Sequence, residues 1–360
     1  MRKYFGFILL LLLAASFTFS QTQAAPAKDE AQILSAFAAL HPIDTHVHIF
    51  KTDPAFQSML EKLNLKVLNI LVMDDTMKER KELKPQVDEA LALMRGSHGH
   101  IAFCTTFDPY KFTSPTFTAD AIRQINQNFK DGAIAVKLWK NVGMEIKDAN
   151  GKYILADNPK FEAIYQDIQK HGKTLLTHQA EPNVAWGPPD PDDPSWSYYK
   201  ENPQWYLGDK QGYPSKQEIL AARDKVLADN PKLKMVGVHL GSMEKSLEDM
   251  AQHLDKYPNF AIDTAARMDY LMLMPHDDVR NFLIKYQDRV LYGTDLDVNE
   301  DANVAESIKD WQSAYVRDYK FLATDETQTV MGKQAKGLNL PKPVVQKIFH
   351  DNAKKWIPGL

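Results

Sequence analysis

His46 and His48 stand two residues apart in Asp44-Thr45-His46-Val47-His48, inside an apolar run of strand type. Along a strand, residues i and i+2 point to the same side, so both imidazoles can face one point, as two ligands on one divalent ion require. Three other apolar runs end in ligand-type side chains: Thr177-His178, Val238-His239 and Gly293-Thr294-Asp295. A third histidine and one carboxylate added to the pair make a set of neutral nitrogen and oxygen donors suited to Zn²⁺ or a similar ion. Such an ion lowers the pKa of bound water toward ~7, and a nearby carboxylate can take and pass on the proton. A lone histidine is more often simply hydrogen-bonded. The chain carries its own contrast, because His98-Gly99-His100 has the same spacing but precedes its strand and is expected to be structural. Four runs ending alike, not any single motif, carry the metal reading.

Lys137 in Ala135-Val136-Lys137-Leu138-Trp139 sits inside another strand end, where a lysine is costly unless paired. It is expected to pair with Asp295 or to hold a substrate carboxylate. Asp108, Lys140, Arg267 and Asp297 also follow strand-type runs. Of these only Arg267 is read as a substrate contact, alongside Trp139 and Trp186, and the others as loop charges.

Eight apolar runs would position these groups: residues 42–49, 66–72, 101–107, 133–139, 174–178, 234–240, 260–264 and 290–295. Between them lie stretches with apolar residues at helical spacing, among them 119–129, 161–170, 216–228 and 279–286. Alternation of eight strand and helix units without a Pro/Gly/Ser-rich linker predicts an α/β fold, a (β/α)8 TIM barrel, over residues 26–360. Residues 181–213 break the rhythm as a long loop insertion after strand 5, rich in aromatic residues and proline, and are expected to lie over the mouth as a lid. A second excursion, 299–340, predicts one long helix over 305–322 followed by a polar looped stretch.

Composition narrows the class. With 43 Lys+Arg against 47 Asp+Glu and a hydrophobic fraction of 44%, the 360-residue chain has the balance of a globular protein. Its net charge of −4 gives no footprint of a nucleic-acid binder, so a small-molecule substrate is expected. Arg2 and Lys3, then an uncharged run over 4–19 and small residues up to Ala25, predict a cleaved signal peptide over 1–25 and a secreted or periplasmic protein with no remaining membrane span. Cys104 is the only cysteine, so no disulfide forms within the chain, and it is expected to be a buried, inert thiol. A homo-oligomer stays open.

The motifs together resemble the amidohydrolase superfamily, in the amidohydrolase-related branch that includes the aminocarboxymuconate-semialdehyde decarboxylase group. The resemblance runs from Ile43 to the C-terminus and rests on Ile43-Asp44-Thr45-His46-Val47-His48, His178, Val236-Gly237-Val238-His239-Leu240-Gly241-Ser242, Tyr292-Gly293-Thr294-Asp295 and Ile348-Phe349-His350-Asp351-Asn352-Ala353. It implies His46, His48 and His178 as metal ligands, Asp295 as a further ligand or the base, and His239 as a contact to water or substrate. Lys137 would be a ligand only if carbamylated, as in members with two metals; one ion, zinc first, is expected over two. The branch contains hydrolases and non-oxidative decarboxylases. Hydrolysis of a lactone, ester or amide is the first expectation, decarboxylation the second, and an exported binding protein on an inactive barrel the third.

Overall fold

The computed structural model describes residues 28–51 and 53–360, so the signal peptide expected over 1–25 lies outside the described residues. Eight parallel strands form where the apolar runs predict: β1 (Ile43–Ile49), β2 (Lys66–Ile70), β3 (Ile101–Thr105), β4 (Ala135–Leu138), β5 (Thr174–Thr177), β6 (Met235–Gly237), β7 (Phe260–Asp263) and β8 (Val290–Leu291). Nearly every position in them is buried, because helices cover the outer face and side chains fill the interior. After β8 the chain bends and continues as β9 (Leu296–Val298), which pairs parallel with Val47, His48 and Ile49 of β1. Between the two pieces, Thr45 donates to the carbonyl of Tyr292 at 3.0 Å and Asp295 to that of His46 at 2.8 Å, so the last strand meets the first and the (β/α)8 barrel closes.

Each strand is followed by a helix: Pro54–Lys62, Leu83–Gly96, Phe117–Asp131, Pro159–Lys170, Lys216–Asp229, Leu247–Lys256, His276–Lys285 and Val304–Ala323. Local signals start several of them. Asn158 caps with its side chain ahead of Pro159, and Ser215 with Glu218 makes a capping box. The helices lay their apolar faces on the outside of the sheet, whereas Leu68, Ile70, Leu176, Val236 and Ala261 belong to a second apolar cluster that continues upward into Trp139, Tyr199 and Trp205.

The polar stretch expected as a loop after the long helix is instead an antiparallel hairpin, β10 (Thr327–Val330) with β11 (Lys333–Lys336). Its two turn residues, Met331 and Gly332, both have positive φ, 49° and 74°, which matches the twist of a two-residue hairpin. His98 and His100 lie at the opposite end of the barrel from the strand termini; His98 is exposed beside Glu61 at 3.0 Å and His100 bonds the carbonyl of Leu65 at 2.7 Å. Cys104 is buried and free, and burial pushes its thiol up.

Candidate metal centre

The strands do not end straight. Ala180 after β5, His239 and Leu240 after β6, Ala266 after β7 and Asp295 after β8 all have positive φ, between 50° and 67°, although none is glycine. Such backbone is strained and collects at functional sites. Here it turns four consecutive strand ends over the barrel mouth, and cuts β6 short of the run read from the sequence.

Three imidazoles on this rim share one pattern. Nδ1 of His48 lies 2.8 Å from the carbonyl of Ile70, Nδ1 of His239 2.9 Å from that of Ala265, and Nδ1 of His46 3.0 Å from Oδ2 of Asp263. These oxygens only accept, so each Nδ1 carries the proton and each Nε2 is left as a bare lone pair. Nε2 of His46 and Nε2 of His48 then stand 3.2 Å and 3.3 Å from the same oxygen, Oδ1 of Asp295. Three acceptors converge there. Burial holds His46 well below the ordinary imidazole value, with Lys137 adding to it, and burial lowers His48, His178 and His239 too. Burial works against the Asp295 carboxylate, but its neighbours at the mouth, His46 and His239 first, outweigh it and hold the group well below the usual range. Neutral imidazoles and an ionised carboxylate are the protonation states that bind a divalent cation.

His178 faces the same mouth, its ring centroid 4.2 Å from that of His239. It stands outside the tight groups of candidate ligands among the described residues, which are His46, His48 and Asp295, and His46, His239 and Asp263, each with ligand atoms within 4.8 Å. Its Nε2 is enclosed and has no hydrogen-bond partner among the described residues, with Oε1 of Glu181 3.8 Å away. An orphaned imidazole nitrogen beside three converging acceptors fits a cation at this mouth. Lys137 is fully buried, its Nζ 3.3 Å from Nε2 of His46, and burial pushes it down to about 8 against the pull of Asp263 and Asp295.

A cavity of about 490 Å³ opens above these groups, lined among others by Trp139, Arg267, Arg80 and Asp297. Arg267 is buried; its Nη1 donates to the carbonyl of Ala266 at 2.8 Å, while its Nε has no partner among the described residues. A larger groove of about 1030 Å³ runs outside the barrel between the Leu83–Gly96 and Phe117–Asp131 helices, away from the histidines, and takes in Asp108. The insertion after β5 closes one side of the cavity through the short helix Trp196–Glu201 and Trp205. It hangs on a buried pair between Lys140 and Glu181; Tyr198 accepts from Lys140 at 2.9 Å and Tyr199 donates to Glu181 at 2.7 Å. The Lys140 ammonium also lies 4.3 Å from the Trp205 ring centroid and 5.5 Å from that of Trp139. Lys140 is therefore a structural cation and not the loop charge expected. Trp186 is displaced from its expected role: its indole donates to the carbonyl of Pro214 at 3.3 Å, and it does not line the cavity.

Residues 140–358 match the profile of the amidohydrolase family. The chain belongs to this family. The matched stretch holds His178, His239, Arg267 and Asp295, and His46, His48 and Lys137 precede it. A comparison with curated proteins gives no match. Among solved structures, the amidohydrolase chain is similar to 2,6-dihydroxybenzoate decarboxylase from Rhizobium, at 13% identity and TM-score 0.51, over 88% of this chain and 98% of that one. It is similar to a dihydroxybenzoic acid decarboxylase from Polaromonas sp. JS666 with bound manganese and the inhibitor 2-nitroresorcinol, at 12% identity and TM-score 0.50, over 88% and 96%. A candidate amidohydrolase from Staphylococcus aureus matches at 13% identity and TM-score 0.52, over 89% and 99%. At these identities the likeness is one of fold.

Sequence reasoning missed Asp263, Glu181 and Arg80, and gave Asp44 no role. Asp263 had a signal, a carboxylate at the inward end of the run Phe260-Ala261-Ile262. The 41-residue separation of Lys140 and Glu181 left none.

Proposed function

We propose that this protein is a metal-dependent enzyme that removes CO₂, without oxidation, from a small planar carboxylic acid. The observation that carries the reading is Arg267, a buried guanidinium with an unpartnered Nε, lining the cavity that holds the converged histidines and Asp295. A carboxylate is the natural partner of such a group. The decarboxylases among the fold relatives support this order over the hydrolysis that the sequence ranks first.

His46, His48, His178 and Asp295 would hold the ion, zinc or manganese, which when bound supplies a Lewis acid for a substrate oxygen. Arg267 holds the carboxylate, and Trp139 walls the planar body of the substrate. Breaking the bond to CO₂ leaves its electron pair on the carbon that carried the carboxyl group, and a proton takes its place there. That proton comes from solvent, and Asp295 and His239, which face the cavity from the ends of β8 and β6, are placed to take it up and pass it to the carbon. Export of the enzyme is proposed on the signal peptide expected over residues 1–25 alone.

Hydrolysis is the second reading, favoured by Lys137 standing 3.3 Å from Nε2 of His46, where the family resemblance implies a lysine that can be carbamylated. Turnover of hydroxybenzoates, lactones and amides by zinc- or manganese-loaded protein in D₂O and ¹⁸O-labelled water separates the two. Release of CO₂ with one deuterium on the reacting carbon supports decarboxylation. Solvent oxygen in the product without CO₂ supports hydrolysis, and an enzyme inert toward the whole panel argues for a binding protein.

A further inference from the structure

β7 ends in Asp263, which has no solvent exposure. One of its oxygens, Oδ2, lies 3.0 Å from Nδ1 of His46. The other, Oδ1, accepts the backbone N–H of His239 at 2.7 Å and that of Ala265 at 3.2 Å. His239 opens a run of four residues with positive φ, 59° at His239, 57° at Leu240, 62° at Gly241 and 59° at Ser242. This is one turn of left-handed helix, which residues with a Cβ avoid because that atom crowds the following carbonyl. Such backbone persists only where its surroundings over-determine it. Three buried side chains do so: Asp263 at the His239 N–H, Arg223 donating to the carbonyl of Gly241, and Ser242 donating to that of Ala180 at 3.1 Å. Of these, Asp263 alone also bonds a ring of the site.

We infer that Asp263 is a positioning residue that sets two imidazoles with one carboxylate. Through Oδ2 it keeps the proton of His46 on Nδ1 and leaves Nε2 bare toward Asp295. Through Oδ1 it pins the left-handed turn that presents His239. The inference rests on His46 being an ion ligand, as in the reading above. His46, His239 and Asp263 also offer ligand atoms within 4.8 Å of one another, but an ion bound there would have to replace the hydrogen bonds that already occupy both oxygens of Asp263.

Asp263→Asn separates the two tasks. Its amide oxygen still accepts from His239, while its NH₂ can only donate, so His46 must accept at Nδ1 and carry its proton on Nε2. Two-bond ¹H–¹⁵N spectra of the metal-free protein are expected to show His46 as the Nδ1–H form in the wild type and the Nε2–H form in the variant. Zinc affinity, read by chelator competition, is expected to weaken about 10- to 100-fold, the usual cost of losing an outer-shell partner, with a near wild-type melting temperature. Wild-type zinc affinity in Asp263→Asn overturns the inference. So does an Nε2–H form of His46 in the wild type, which keeps the test decisive if the variant does not fold. None of these readouts involves turnover, so they stand or fall apart from the proposed reaction.

Discussion

The ammonium of Lys137 lies 3.3 Å from Nε2 of His46, and the same nitrogen lies 3.2 Å from Oδ1 of Asp295. A neutral imidazole and a carboxylate meeting through lone pairs repel, so positive charge has to stand close to both. Lys137 supplies part of it. A divalent ion held by His46 and His48 would supply the rest, and the unprotonated Nε2 of both rings makes the mouth ready for it.

Alanine at His46 or His48 is therefore expected to bring bound zinc or manganese to background, with any activity lost in step. Alanine at His98 or His100 is expected to leave metal content intact, since those rings bond Glu61 and the Leu65 carbonyl at the other end of the barrel. Elemental analysis of the four purified variants checks this. Full metal content in His46→Ala would remove His46 from the ligand set.

Arg267 is expected to act on substrate binding. A hydrogen bond to a charged group contributes about 1.5–3 kcal/mol, so Arg267→Met should raise KM for a carboxylate substrate about 10- to 100-fold. Its stability should change little, because among the described residues the guanidinium makes one hydrogen bond, to the Ala266 carbonyl, and one ring contact, to Tyr270 at 5.8 Å. Steady-state kinetics with the carboxylate and its neutral amide distinguish the roles. An equal loss for both would show that Arg267 does not read the carboxylate.

The lid hangs on Lys140 and Glu181, both buried. Removing one partner strands the other as an uncompensated charge, which costs about 3–5 kcal/mol. Lys140→Met should lose stability on that scale, and the double variant with Glu181→Gln should recover part of it. Denaturant unfolding of both reads the coupling. If the double variant is less stable than Lys140→Met by the full cost of a second deletion, the pair is not what holds the lid.

The barrel was legible because parallel strands covered on both faces read as continuous apolar runs, and residues 101–107 and 174–178 are plain examples. Their ends were not. Ala180, His239, Ala266 and Asp295 leave the strand by a positive φ that no residue type announces, and this bend decides which side chains reach the mouth. His46 and His48 could be read because a period of two fixes their side. The partner that aims His46 could not, since Asp263 lies 217 residues away. The aromatic insertion was legible as a cluster, but only the fold shows that Trp205 stacks on a buried lysine while Trp186 packs elsewhere. The hairpin escaped because its strands are short and mostly polar, with only Val330 and Ala335 buried in the core, and only Gly332 marks its turn.

Asp44, the first residue of the histidine motif, gives the chain a pH signature. Its carboxyl is fully buried between β1 and the bend after β8, where it accepts from the hydroxyl of Thr294 at 2.6 Å, the backbone N–H groups of Thr294 and His46 at 3.1 Å each, and Tyr315 at 3.3 Å. Burial outweighs these donors and pushes it up to about 7. In the unfolded chain the group ionises near the ordinary value of about 3.9. Between about pH 4 and 7 the folded state thus keeps a proton that the unfolded state has lost. Stability from this group is then fully present below about pH 4 and declines as pH rises, by about 1.4 kcal/mol per pH unit until the folded carboxyl also ionises near 7. Asn at this position cannot titrate, so the wild type is expected to lose stability relative to Asp44→Asn from pH 5 to 7 and to run parallel with it above. Denaturant unfolding of both proteins across this range, with a chelator present to keep the mouth metal-free, reads the difference. A gap between them that stays constant from pH 5 to 7 would mean that Asp44 is ionised throughout and that its four donors, not its burial, set its charge.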